Sequence, residues 1–124
     1  MKTAKWIFRI AGIYGVLVIT PLYFMEPLVG RDNPAGITHP EFFYGFVCVT
    51  LAAQFMFLVI SMDPIRYRPL MVVGMWEKFS YVVACIILLM HHRVPSSVGL
   101  FAFLDAVLGV LFIAAWLRTV PANS

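Results

Sequence analysis

The sequence predicts an all-α polytopic membrane protein: a four-transmembrane-helix bundle of two hairpins, with both termini cytoplasmic. Three observations carry this. Of 124 residues, 62% are hydrophobic and 12% charged, with a mean hydropathy of +0.92. A soluble fold of that length has too little interior to hide so much apolar surface. The apolar residues gather into four runs, each near the roughly 20 residues that a helix needs to cross hydrocarbon. Finally, of the nine Lys and Arg, six (Lys2, Lys5, Arg9, Arg66, Arg68, Arg118) fall on one side of the alternating runs and two (Arg31, Arg93) on the other, with Lys78 inside a run. That asymmetry places the six in the cytoplasm. It also explains the net charge of +3 without nucleic acid as a partner.

Residues 1–124 read as one membrane domain. The first helix is expected over about 6–25: its apolar run is too long for a signal peptide, contains Pro21, and has no small-residue cleavage pattern near its end. Pro21 is expected to kink it. Ala11 and Gly15, four apart, form a small-residue face of the kind that lets helices approach closely. Glu26 to Pro40 reads as a loop rich in Pro, Gly and Asn. The second helix is expected over 40–62, capped by Thr38 with Glu41 reaching back and Pro40 in the first turn. A proline-flanked link, Asp63 to Pro69, leads to a third helix over about 69–91, which His91-His92-Arg93-Val94-Pro95 ends. Ser96 or Ser97 is expected to cap a fourth helix over 97–118, followed by a loose tail from Thr119 to Ser124. Trp6 and Trp116 at one boundary, with Tyr23, Phe43 and Tyr44 at the other, fit interfacial aromatic belts.

The residues that carry chemistry stand where hydrocarbon should be. Glu77 and Lys78 sit inside the third apolar run, Gln54 inside the second and Asp105 inside the fourth. A charged side chain at the centre of a span costs roughly 2.5–3.5 kcal/mol on insertion scales, so each needs a partner. Gln54 and Glu77 each lie eight residues from the inner end of their helices, about 12 Å deep at a rise of about 1.5 Å per residue. Asp105 enters about 12 Å from the opposite boundary, which leaves roughly 4–6 Å of depth between it and Lys78 in a core of about 30 Å. A lysine stem spans that gap, so Lys78 is expected to pair with Asp105. Glu77, about 100° around the helix from Lys78, is expected to need a different partner: Gln54, Tyr81 or Tyr14. On helical spacing, Gly74, Glu77, Tyr81 and Ala84 or Cys85 share one stripe with Lys78 at its edge. Ala102, Asp105, Ala106 and Gly109 share another.

Several functions fit such a cluster. It can fix helix register, or hold a ligand on Gln54, Glu77, Lys78, Tyr81 and Asp105. It can relay protons, although one acid per depth makes a poor relay. It can catalyse, with Glu77 or Asp105 as acid or base. Arg66 and Arg68 read as lipid-headgroup contacts as well as topology signals. At the other boundary His39, Glu41, His91 and His92 have donor chemistry suited to metals, but the two adjacent histidines diverge and no ligand spacing is present; no metal centre and no cofactor are expected. Cys48 and Cys85 fall within apolar runs without a C-x-x-C pair, which excludes a thiol–disulfide relay and leaves both as small buried residues.

The motifs His39-Pro40-Glu41-Phe42-Phe43-Tyr44-Gly45, Asp63-Pro64-Ile65-Arg66-Tyr67-Arg68-Pro69-Leu70 and Glu77-Lys78 make the chain resemble small four-helix inner-membrane proteins of bacteria that carry no assigned activity. In architecture alone it is similar to DoxX-like proteins and to the four-helix sterol-isomerase and sigma-2-receptor superfamily, whose members keep acids inside the bundle. The resemblance implies a bacterial inner membrane and transfers no site residue. The expected function is a non-enzymatic membrane protein whose polar cluster binds an amphipathic ligand or partner helices. Two alternatives are an enzyme acting on a lipid-like substrate through Glu77, and an accessory subunit that docks through faces such as Ala11/Gly15. Its expected partners are membrane lipids with either other membrane subunits or an amphipathic small molecule.

Overall fold

The computed structural model of the protein describes residues 2–31 and 38–119, and its elements there are all helical, with no strand among the described residues. α1 spans Lys2–Ile19 and runs on as a 3-10 helix, Thr20–Phe24, in whose first turn Pro21 sits. Proline removes an i→i−4 hydrogen bond, and the tighter winding absorbs the loss. Glu26–Arg31, expected as loop, is instead a short helix, α2, with the Val29 amide donating to the Met25 carbonyl at 2.9 Å. Pro27 is tolerated there because a helix's first turn has no use for its missing N–H. The rest of the expected loop, residues 32–37, and the tail beyond Thr119 lie outside the described residues. Thr119 itself is not loose: it is buried and its hydroxyl donates to the Ala115 carbonyl at 2.7 Å.

α3 spans Pro40–Met62, α4 Arg68–Met90 and α5 Ser97–Arg118. Together with the run Lys2–Phe24, these are four helices of 22 or 23 residues, long and apolar enough to cross a membrane. The expected side-chain caps do not form. Residue 39, not Thr38, is the N-cap of α3, and its carbonyl accepts from the amides of Phe42 and Phe43 at 3.0 and 3.3 Å. Glu41 turns away to meet His39 Nδ1 at 3.2 Å. Ser96 likewise makes no cap bond, and its backbone already has right-handed helical angles (φ −62°, ψ −22°). A cap needs an extended residue to aim its hydroxyl back at the first free amides.

Each hairpin pairs neighbours in sequence. α1 packs along α3 and α4 along α5, while α1 against α5, with a thinner seam of α3 on α4, joins the halves. The core lies toward one end, where α1 and α4 begin and α3 and α5 finish. Every long helix contributes there: Phe8 from α1, Phe57 from α3, Met71 and Gly74 from α4, Phe112 from α5. Phe8 and Phe112 stack with centroids 4.3 Å apart, and Phe57 meets Phe112 edge-on at 4.9 Å. Gly74 lets α4 approach the pair, since a β-carbon there would lie 3.1 Å from Phe57 and 3.3 Å from Phe112. In helices this apolar on every side, such close packing is what orders the bundle. We call this the packed end, and the other the far end.

Candidate functional site

Lys78 is the centre of the polar cluster. Its side chain is 6% exposed, and its Nζ stands 3.4 Å from Asp105 Oδ1 on α5 and 3.4 Å from Glu77 Oε2 on its own helix. It donates a hydrogen bond to Asp105, which is the pairing that depth alone predicted. The ammonium also lies 5.4 Å from the centroid of Phe57, so one lysine touches α4, α5 and α3. Phe57 thereby connects the cluster to the aromatic core below it.

Two expectations about this cluster are corrected. Glu77 and Lys78 do not need separate partners, because the four-carbon lysine stem bends toward Asp105 while still meeting the neighbouring carboxylate. The buried stripe of α4 also runs through Met71, Gly74, Lys78 and Cys85. Lys78 is at its centre, and Glu77 and Tyr81 are at the edge, half-buried, with Ala84 exposed. On α5, Ala102 and Gly109 are buried and Asp105 and Ala106 half-buried. The smallness of Gly109 serves α4 directly: a β-carbon there would lie 2.7 Å from the ring of Phe79.

Gln54 is not part of the cluster. It is 2% exposed and faces α1, where a β-carbon on Gly15 would overlap its carboxamide. Its Nε2 donates to the Thr50 carbonyl at 3.0 Å, and its Oε1 has no hydrogen-bond partner. Equal depth with Glu77 misled the expectation, because α3 turns this position toward its hairpin mate α1. Tyr14, another suggested partner of Glu77, is 36% exposed. Ala11, Gly12 and Gly15 are all buried, with Gly12 and Gly15 set against α3. The small-residue face expected to dock a larger complex is therefore spent inside the bundle.

Glu77 and Asp105 keep side-chain exposures of 26% and 21%. Glu77 Oε2, though within ion-pair distance of Lys78, makes no hydrogen bond. Two carboxylates thus share one ammonium. A shallow concavity on α5, lined by Phe103, Ala106, Val107, Val110 and Leu111, includes neither of them and is wholly apolar.

At the packed end Arg68 is engaged rather than free. Its Nε donates to the Trp116 carbonyl at 3.2 Å and its guanidinium lies 3.9 Å from the Trp116 ring centroid, which ties the start of α4 to the finish of α5. Arg66 stays exposed, 5.5 Å from the centroid of Tyr67, while its backbone amide donates to Asp63 Oδ1 at 3.3 Å.

The far end holds contacts that the sequence reading missed. Tyr44 donates to Glu26 Oε2 at 3.2 Å, and the Tyr23 hydroxyl donates to Cys48 Sγ at 3.2 Å. Cys48 is exposed, contrary to expectation, whereas Cys85 is buried. Residues 18 and 25 apart come together here because the continuation of α1 runs antiparallel beside α3, which no local motif encodes. Among the described residues, no three His, Cys, Asp or Glu converge as metal ligands.

The class these features define is a small all-helical protein with four helices capable of crossing a membrane and one ionic triad between two of them. No protein-family model, curated protein or solved structure matches the chain.

Proposed function

We propose that the chain is a small, non-enzymatic, multi-pass protein of the bacterial inner membrane, with both termini cytoplasmic, that binds an amphipathic ligand or a partner helix at the edge of the Glu77–Lys78–Asp105 triad. One observation carries the reading: two carboxylates serve a single buried ammonium, and both keep about a quarter of their surface open. A triad that only locked two helices would need one acid. The surplus carboxylate is costly in hydrocarbon unless a hydrogen-bond donor meets it. The orientation rests on the cation asymmetry between the two ends.

Catalysis is less well supported: the shallow concavity on α5 is apolar, and neither Glu77 nor Asp105 lines it. The test is native mass spectrometry of the protein released from membranes in mild detergent. A bound small molecule or second chain should accompany the wild type and be lost in Glu77→Gln, which leaves the Lys78–Asp105 bond in place. Identical bare spectra for both proteins would sink the reading.

A further inference from the structure

We propose that the packed end is a docking collar for the headgroups of anionic glycerophospholipids, formed by Lys2, Lys5, Arg9, Arg66 and Arg118, with Arg68 withdrawn from it as a strut. The proposal rests on the membrane-spanning reading but not on the Glu77 site.

The convergence is structural. The start of α1, the link after α3 and the finish of α5 meet around one aromatic core, which brings cations 116 positions apart in the chain to one end. Lys2, Lys5, Arg66 and Arg118 are exposed there and Arg9 half-buried. Asp63 is the one acid at this end among the described residues, and its Oδ1 already accepts the Arg66 amide. In sequence the far end has one more acid than it has Lys and Arg, with Arg31 and Arg93 against Glu26, Asp32 and Glu41.

Depth selects lipid over a soluble anion or an acidic protein. Arg9 lies seven residues into α1 from Lys2, about 10 Å below the helix start. Its guanidinium turns back to within 5.4 Å of the Trp6 ring centroid, the direction in which helical side chains lean and in which a buried arginine reaches for the interface. Trp6 is itself 54% exposed, an amphipathic ring at the same level. A surface for soluble partners has no need of a cation rooted below the interface whose guanidinium turns back up to it; lipid phosphodiesters are what lie at that level. Arg68 shows the contrast, since its planar group is occupied by Trp116.

The experiment uses the full chain in neutral detergent, titrated with phosphatidylglycerol or with phosphatidylcholine and read by native mass spectrometry. We expect preferential retention of phosphatidylglycerol, reduced about fivefold for each cation removed in the variant K2Q/K5Q/R66Q, whose helicity should match wild type because all three side chains are exposed. R93Q at the far end and Glu77→Gln should both keep the preference, which separates this proposal from the ligand reading. Equal retention of the two lipids, an unaltered K2Q/K5Q/R66Q variant, an equal loss in R93Q, or displacement of the lipid by millimolar inorganic phosphate would each overturn it.

Discussion

The carboxamide of Gln54 occupies the space into which a β-carbon on Gly15 would project. α1 and α3 are held at this separation by a missing side chain on one helix and a neutral polar one on the other. Gln54 has little freedom to retreat, because its Nε2 is committed to the Thr50 carbonyl. Its unpaired Oε1 is tolerable opposite glycine, whose Cα–H groups are weak donors to a carbonyl oxygen.

Gly15→Ala is therefore expected to pry α1 from α3 and destabilise the bundle by about 1–3 kcal/mol, the usual cost of overpacking. Adding Gln54→Ala should recover most of that loss. Reversible unfolding in mixed micelles, followed by circular dichroism, measures both. Additive losses in the double variant would show that the two positions do not oppose each other.

The triad predicts an ordering of three variants. Lys78→Met strands two acids and should be the most damaging, at about 3–5 kcal/mol. Lys78→Met with Asp105→Leu strands only Glu77 and should cost less. The triple variant that adds Glu77→Leu should approach wild-type stability, since an apolar seam suits hydrocarbon. The same unfolding assay checks the order. A triple variant no better than the single one would mean that the triad contributes net stability.

How much of this was legible in the sequence follows from what each inference needed. The limits of α3 and α5 depend on apolar run length and on prolines, both local, and the structure has them at Pro40–Met62 and Ser97–Arg118. The Lys78–Asp105 pair needed only depth, which the helical rise supplies along each span. Gln54 needed rotation as well. Depth carries no rotation: Gln54 meets Gly15 of α1 while Phe57, three positions on, meets Lys78, and a helix apolar on every side gives no phase to separate them. The same missing phase put Glu77 at the centre of the α4 stripe in place of Lys78. The far-end contacts Tyr44–Glu26 and Tyr23–Cys48 needed the hairpin geometry itself.

Arg68 gives a prediction in which charge is conserved and geometry is not. Lys in its place keeps the positive charge but loses the flat face 3.9 Å from the Trp116 centroid and the Nε bond to the Trp116 carbonyl. A compact ammonium cannot reproduce both contacts. Arg68→Lys is expected to cost about 1–2 kcal/mol, the sum of a partly desolvated cation–π contact and a hydrogen bond. The Trp116 fluorescence maximum should shift as the cation leaves its ring. Unchanged emission and stability would place the strut elsewhere.

The turn that closes α4 holds a residue in the left-handed region. His92 has φ 55° and is the only non-glycine residue described with a positive φ. Its amide donates to the Leu89 carbonyl at 3.1 Å and the Arg93 amide to the Leu88 carbonyl at 2.9 Å, the two bonds of a Schellman ending. Glycine is the usual residue at this position because a β-carbon crowds the carbonyl there, at roughly 1–2 kcal/mol. The chain carries histidine instead, and its side chain is exposed. His92→Gly should relieve the crowding, but glycine also loses more backbone freedom on folding. The net expectation is a gain of about 0.5–1 kcal/mol. His92→Val, β-branched and unable to sit there comfortably, should lose at least as much. Thermal unfolding of the two variants beside wild type decides it, and a His92→Gly midpoint at or below wild type would mean that the histidine side chain supplies a compensating contact.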